Sequence, residues 1–124
     1  MVLTQPLILL DTNIVLYFLG GRLVNPLPSG QYFISVITEI ELLSYPSLSL
    51  EEETKIIDFL NKITVVDIDN NIKNLTIAFR KQYRLRVPDA IIVATAKSLN
   101  AILFTNDVRL ANLTEINTQS VQIV

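Results

Sequence analysis

Short, unbroken apolar runs alternate along this chain with longer stretches of mixed polarity. Residues 7–10 read Leu-Ile-Leu-Leu, the pattern of a central parallel strand covered on both faces. Residues 13–19 predict a helix ended by Gly20-Gly21, since glycine tolerates the positive φ that closes many helices. A loop with Pro26 and Pro28 follows, then a second strand over 32–36 and a short helix over 38–45, stopped by Pro46. Ser49-Leu50-Glu51-Glu52 has capping-box spacing and opens a helix to about Lys62. A third strand is expected over 64–68. Asp69 then caps an amphipathic helix to about Arg84, with Ile72, Leu75, Ile77 and Phe79 as apolar positions. Pro88 suits the first position of the next helix. Residues 90–99 are apolar almost all round, so that helix is the buried one. Asn100 closes it before a fourth strand over 101–104, a short helix after Asp107, and a last strand over 121–124. Strands alternating with helices imply an α/β domain with a mainly parallel sheet flanked by helices.

Length and composition narrow the class. With 124 residues, half of them hydrophobic, residues 1–124 are expected to form one domain with a real core. No run reaches the roughly 18 apolar residues a membrane span needs. The first residues carry no basic segment and the apolar run after them breaks at Asp11. No signal peptide is therefore expected, and the chain is placed in the cytoplasm. The surplus of apolar residues suits a sheet covered on both sides, with a subunit interface besides.

The chain has no cysteine and no histidine. Thiolate nucleophiles, disulfides, Ser-His-Asp triads and imidazole-bound zinc are all excluded. Catalysis, if present, falls to carboxylates with a hard cation bound through oxygen, which favours Mg2+ or Mn2+. The net charge of −2 does not oppose an RNA ligand. Setting aside four acids at one site leaves 8 acidic against 10 basic residues from the totals of 12 and 10.

Those four acids are Asp11, Glu41, Asp89 and Asp107. Asp11 and Asp107 follow apolar strands, while Glu41 and Asp89 are expected in first turns of helices. Each has a local alternative. Asp11 and Asp107 can cap helices, Thr38-x-x-Glu41 has capping-box spacing, and Asp89 complements a helix dipole. Parallel strands would nevertheless bring all four to one rim, where open α/β sheets bind ligands. Thr12, Asn13, Thr105 and Asn106 stand beside them to hydrogen-bond the carboxylates or hold waters.

These segments resemble the PIN-domain ribonucleases, in particular VapC-like toxins of type II toxin–antitoxin pairs. The resemblance lies in Leu9-Leu10-Asp11-Thr12-Asn13, in residues 35–42 (Ser-Val-Ile-Thr-Glu-Ile-Glu-Leu), in residues 88–96 (Pro-Asp-Ala-Ile-Ile-Val-Ala-Thr-Ala), and in Thr105-Asn106-Asp107. It implies a PIN-like three-layer fold and a metal-dependent endoribonuclease. Asp11, Glu41, Asp89 and Asp107 match that family's acidic quartet for magnesium or manganese. It further implies RNA as substrate, a homodimer and a cognate antitoxin protein. Tyr45-Pro46 stands where many members carry glycine, a departure that bears on substrate preference.

Arg80, Lys81, Arg84 and Arg86 form a basic cluster before Asp89. Arg80 and Arg84, four apart, are expected on one helix face. Arg80, Arg84 and Arg86 are the candidates for gripping RNA, with a solvated helix flank as the alternative. Among other α/β classes, haloacid-dehalogenase chemistry needs a second aspartate where Asn13 stands. Receiver chemistry needs another acid beside Asp11 and a lysine after the fourth strand. A non-catalytic PIN-fold module binding RNA or a protein is the remaining rival.

Overall fold

Alternating side chains on short strands divide the core into two halves. The computed structural model describes residues 4–124. Its elements in chain order are β1 (Leu7–Leu10), α1 (Thr12–Leu19), β2 (Gln31–Ser35), α2 (Val36–Leu43), α3 (Leu50–Leu60), β3 (Thr64–Val66), α4 (Asn70–Tyr83), α5 (Val87–Leu99), β4 (Ile102–Phe104), α6 (Val108–Ala111) and β5 (Asn117–Gln119). The strands form one sheet in the order β3-β2-β1-β4-β5, and every pairing is parallel.

Successive strand residues face opposite layers. Leu9 and Leu103 pack with Ile72, Phe79, Ile92 and Val93 of α4 and α5. Ile8, Leu10, Ile34 and Phe104 pack with Ile14, Val15, Leu42 and Ile56 of α1, α2 and α3. The result is three layers, helices on sheet on helices. In α5 every residue from Ala90 through Ala96 is buried, as its all-round apolar character requires. Ala90, Ala94 and Ala96 share one core cluster with Ile72 and Phe79 of α4.

Strand order places a topological switch beside β1. The chain moves from β1 outward through β2 to β3, then returns to lay β4 on β1's other edge. The segments leaving β1 and β4 lead to opposite layers, Ile14 of α1 in one and Leu110 of α6 in the other, at the carboxyl ends of the strands where open α/β sheets generally bind ligands. The Asp11 amide donates to the Phe104 carbonyl at 3.2 Å and ties the two strand ends together.

Several boundaries differ from those expected, each for a local reason. Ser35 rather than Thr38 caps α2, its hydroxyl accepting from the Ile37 amide at 3.1 Å. Glu41 consequently lies beyond the first turn of α2. Gly20 has φ −83°, and the left-handed residue after α1 is Gly21 at φ 68°. Arg84 is not on the face of α4 but in the left-handed position that ends it, φ 56°. The fifth strand is the polar segment Asn117–Gln119, while residues 121–124 contribute only an antiparallel bridge between Ile123 and Leu23. An edge strand pairs through backbone groups that any sequence carries, so apolar runs do not single it out.

Candidate active site

Asp11 is the most constrained of the acids. It follows β1 and caps α1, with Oδ1 accepting from the Ile14 amide at 2.9 Å. Only 7% of the residue is exposed. Burial pushes its carboxyl above the usual carboxylate range; Asp107 and Asp89 add to the rise, and the Thr105 hydroxyl and Ile14 amide oppose it. Capping and electrostatic strain thus coexist in one residue.

Glu41 reaches the rim through threonines. Thr12, the first residue of α1, donates its hydroxyl proton to Glu41 Oε1 at 2.7 Å. Its oxygen lies 3.0 Å from the hydroxyl of Thr38, a residue fully buried inside α2. A threonine has one hydroxyl proton, and Thr12 has given its own to Glu41, so Thr38 donates to Thr12. The chain Thr38–Thr12–Glu41 ties the glutamate to the first residue of α1, which follows Asp11 in sequence, across the contact between α1 and α2.

Asp89 occupies the third position of α5, after Pro88 at the second. Asp107 caps α6, its Oδ1 accepting from the Arg109 amide at 2.9 Å. Arg109 joins the two. Its Nη2 lies 2.8 Å from Asp107 Oδ2 and 3.4 Å from Asp89 Oδ2, and its Nε lies 3.2 Å from Asp107 Oδ1. This guanidinium holds the Asp107 carboxyl below the usual range against a smaller opposing effect of burial. Arg86 Nε stands farther from Asp89 Oδ2, at 3.9 Å.

The neighbouring polar residues divide by role. Thr105 is buried beside Asp11, and its hydroxyl accepts from the Asp107 amide at 3.0 Å, shaping the turn after β4. Asn106 is spent elsewhere: its amide donates to the Val121 carbonyl and accepts from the Val121 amide, at 3.0 and 2.8 Å. It anchors the segment after β5 instead of orienting an acid. Asn13 is exposed on α1. Among the basic residues, Arg80 donates through Nε to the Leu85 carbonyl at 3.1 Å, so it braces the turn between α4 and α5. Arg86 is the member of the cluster paired with a rim acid.

Sequence pattern does not mark Arg109, and it marks Thr38 only as a candidate cap. Arg109 follows Asp107 by two residues, a spacing outside any helical register, so only the turn into α6 brings it back over the acids. Thr38 looked like a cap; its place one turn before Glu41, facing the same neighbour, was the available signal.

The donor set suits a hard cation. Every candidate ligand is a carboxylate oxygen, and Asp11 is buried without a basic partner among the described residues while Arg109 already brings positive charge between Asp89 and Asp107. As the side chains stand, no group of three or more acids among the described residues is near enough to share one ion. Arg109 occupies the space between two of them, engaging both oxygens of Asp107 and one of Asp89.

A family profile described as the PIN domain matches residues 8–116. No curated protein matches the chain at a significant level. Among solved structures, a chain of the toxin–antitoxin complex from Klebsiella pneumoniae is similar at 29% identity and TM-score 0.73, covering 87% of this chain and 93% of that one. A chain of VapBC-1 from nontypeable Haemophilus influenzae is 24% identical with TM-score 0.74, covering 92% and 97%. One from VapBC2 of Rickettsia felis, bound to a promoter DNA fragment, is 18% identical with TM-score 0.78, covering 94% and 99%. The latter two likenesses establish the fold alone.

Proposed function

Because the chain belongs to the PIN domain family, we propose that it is an endoribonuclease dependent on Mg2+ or Mn2+ and the toxin of a toxin–antitoxin pair. The observation that carries this reading is Asp11, a buried carboxylate at the sheet's switch point with no basic partner among the described residues and with Asp89 and Asp107 near enough to raise its pKa. Asp11 and Asp89 would bind the cation directly. Glu41 and Asp107 would hold it through water or bind a second ion. A bound divalent cation supplies a more acidic water at neutral pH and offsets charge on the attacked phosphate.

The chain's own groups set the geometry. The Ile14 amide fixes Asp11 Oδ1, leaving the second oxygen for an external ligand. Thr12 and Thr38 hold Glu41 in one orientation. Arg86, whose side chain is 80% exposed beside Asp89, is placed to bind an RNA phosphate approaching the rim. Arg80 is engaged instead at the end of α4 by the Leu85 carbonyl, while Arg84, exposed at the left-handed position that ends the helix, stays a candidate for the RNA backbone.

A cognate antitoxin and a second copy of the chain are the expected partners, in the cytoplasm. An open groove of about 500 Å³ lined by Leu16, Leu19, Tyr45, Leu48 and Ile56 supports a partner with an apolar face. Among the described residues no helix is long and apolar enough to cross a membrane.

The decisive experiment incubates purified protein with mixed structured and unstructured RNA plus Mg2+ or Mn2+. Parallel reactions contain EDTA or the Asp89→Asn variant. Cleavage lost in both controls supports the proposal; cleavage that survives Asp89→Asn defeats it. A second reading, a PIN-fold module that binds without cutting, draws support from the absence of a ready three-acid cluster among the described residues. Folded protein that binds divalent ions and cleaves nothing would favour it.

A further inference from the structure

Arg109 has no part in the scheme above, yet it makes the densest polar contacts at the rim. Both oxygens of Asp107 are engaged by its side chain, through Nε at 3.2 Å and Nη2 at 2.8 Å, and Nη2 also reaches Asp89 Oδ2 at 3.4 Å. Arg86 approaches the same Asp89 oxygen but only to 3.9 Å, and the remaining basic side chains with defined partners point elsewhere. Arg80 is held by the Leu85 carbonyl and Arg22 by the Val124 carbonyl. Glu41 is held by a neutral hydroxyl. The guanidinium of Arg109 therefore stands where Asp89 and Asp107 would share a cation.

Resting on the metal reading above, we propose that Arg109 is an internal counter-ion which a divalent cation must displace, so that this side chain sets how much metal the site requires. A guanidinium and a divalent ion compete for the same pair of carboxylates, and a lone pair of Asp107 aimed at Nη2 is not free for a metal. Displacement is easy to accommodate. The Arg109 side chain is 59% exposed, so it can swing into water with little loss of packing. Asp107 does not lose its orientation when that happens. Its Oδ1 still accepts from the Arg109 backbone amide at 2.9 Å, and the Asp107 amide still donates to the Thr105 hydroxyl at 3.0 Å. The exchange thus trades a monovalent internal cation for a divalent external one on a preformed backbone.

The test is Mn2+ binding by isothermal titration calorimetry on the full chain, comparing wild type with Arg109→Ala, Arg109→Lys, Arg109→Gln and Asp11→Asn. Circular dichroism checks that each variant is folded, and Arg109→Gln carries the comparison if the alanine variant melts early. Removing an exposed ion pair that competes with the metal should tighten Mn2+ binding roughly five-fold. Arg109→Lys should fall between, because an ammonium lacks the planar fork that spans two carboxylates. Unchanged or weaker binding in Arg109→Ala and Arg109→Gln, with Asp11→Asn still abolishing it, overturns this proposal alone. Failure of every protein to bind Mn2+ overturns it together with the metal reading.

Discussion

Replacing Thr12 with valine removes one hydroxyl while keeping the side chain's shape, and the hydroxyl chain makes its consequences calculable. Thr12 donates to Glu41 Oε1 at 2.7 Å and accepts from Thr38 at 3.0 Å. Glu41 is partly exposed and can recover a bond from water. Thr38 is fully buried and cannot, so its hydroxyl is left as an unpaired donor. One lost bond to a charged acceptor, partly replaced, plus one stranded buried hydroxyl costs about 2 kcal/mol. For a domain of this size that lowers Tm by roughly 8 °C. The companion variant Thr38→Val should cost somewhat less, because Thr12 keeps its bond to Glu41. The double variant is the sharper case: with both hydroxyls gone no buried donor is stranded. Its destabilisation should fall short of the sum of the singles by about 1 kcal/mol. Calorimetric melts of the four proteins in EDTA measure this cycle. Additive losses, or a Thr12→Val shift under about 2 °C, would show that the threonines do not form the relay. RNA cleavage should fall in Thr12→Val even at temperatures where the variant is folded, since Glu41 is then free to rotate away from the rim.

Other consequences follow from the same geometry. Burial raises the folded-state pKa of Asp11, so the folded protein holds that proton more tightly than the unfolded chain does. Its contribution to stability is then lost as pH rises from the unfolded value of about 3.9 through the raised folded one. Asp11→Asn keeps the cap on Ile14 without the charge, so in EDTA it should melt above wild type at neutral pH and converge with it in acid. A neutral-pH melt no higher than wild type would contradict the assignment. Arg86→Glu should weaken RNA binding and flatten its dependence on salt concentration, measured by fluorescence anisotropy with labelled RNA. The same reversal at Arg80 should instead lower Tm, because it removes the donor to the Leu85 carbonyl; equal loss of RNA affinity at both positions would return the basic cluster to a single role.

The sequence by itself determined the class of fold and the kind of chemistry available. Four-residue apolar runs such as Leu7–Leu10 are too short for helices and have no polar face, so they had to be buried parallel strands. Capping signals are local, and Ser49 with Glu52 and Asp69 with Ile72 form as their spacing requires. The absence of histidine and cysteine left carboxylate oxygen as the only rich donor type. Tertiary structure decided the rest, because it depends on contacts between residues distant along the chain. Thr38 looked like a cap and became a buried link to Thr12, 26 positions away. Arg80 and Arg84 looked like one basic face, but the left-handed turn at Arg84 ended the helix and gave Arg80 a carbonyl to brace. Arg109 carried no sequence signal at all, and the turn after β4 laid it across Asp89, 20 positions earlier. Local rules name the groups a chain possesses; only the packing of the sheet decides which of them face one another.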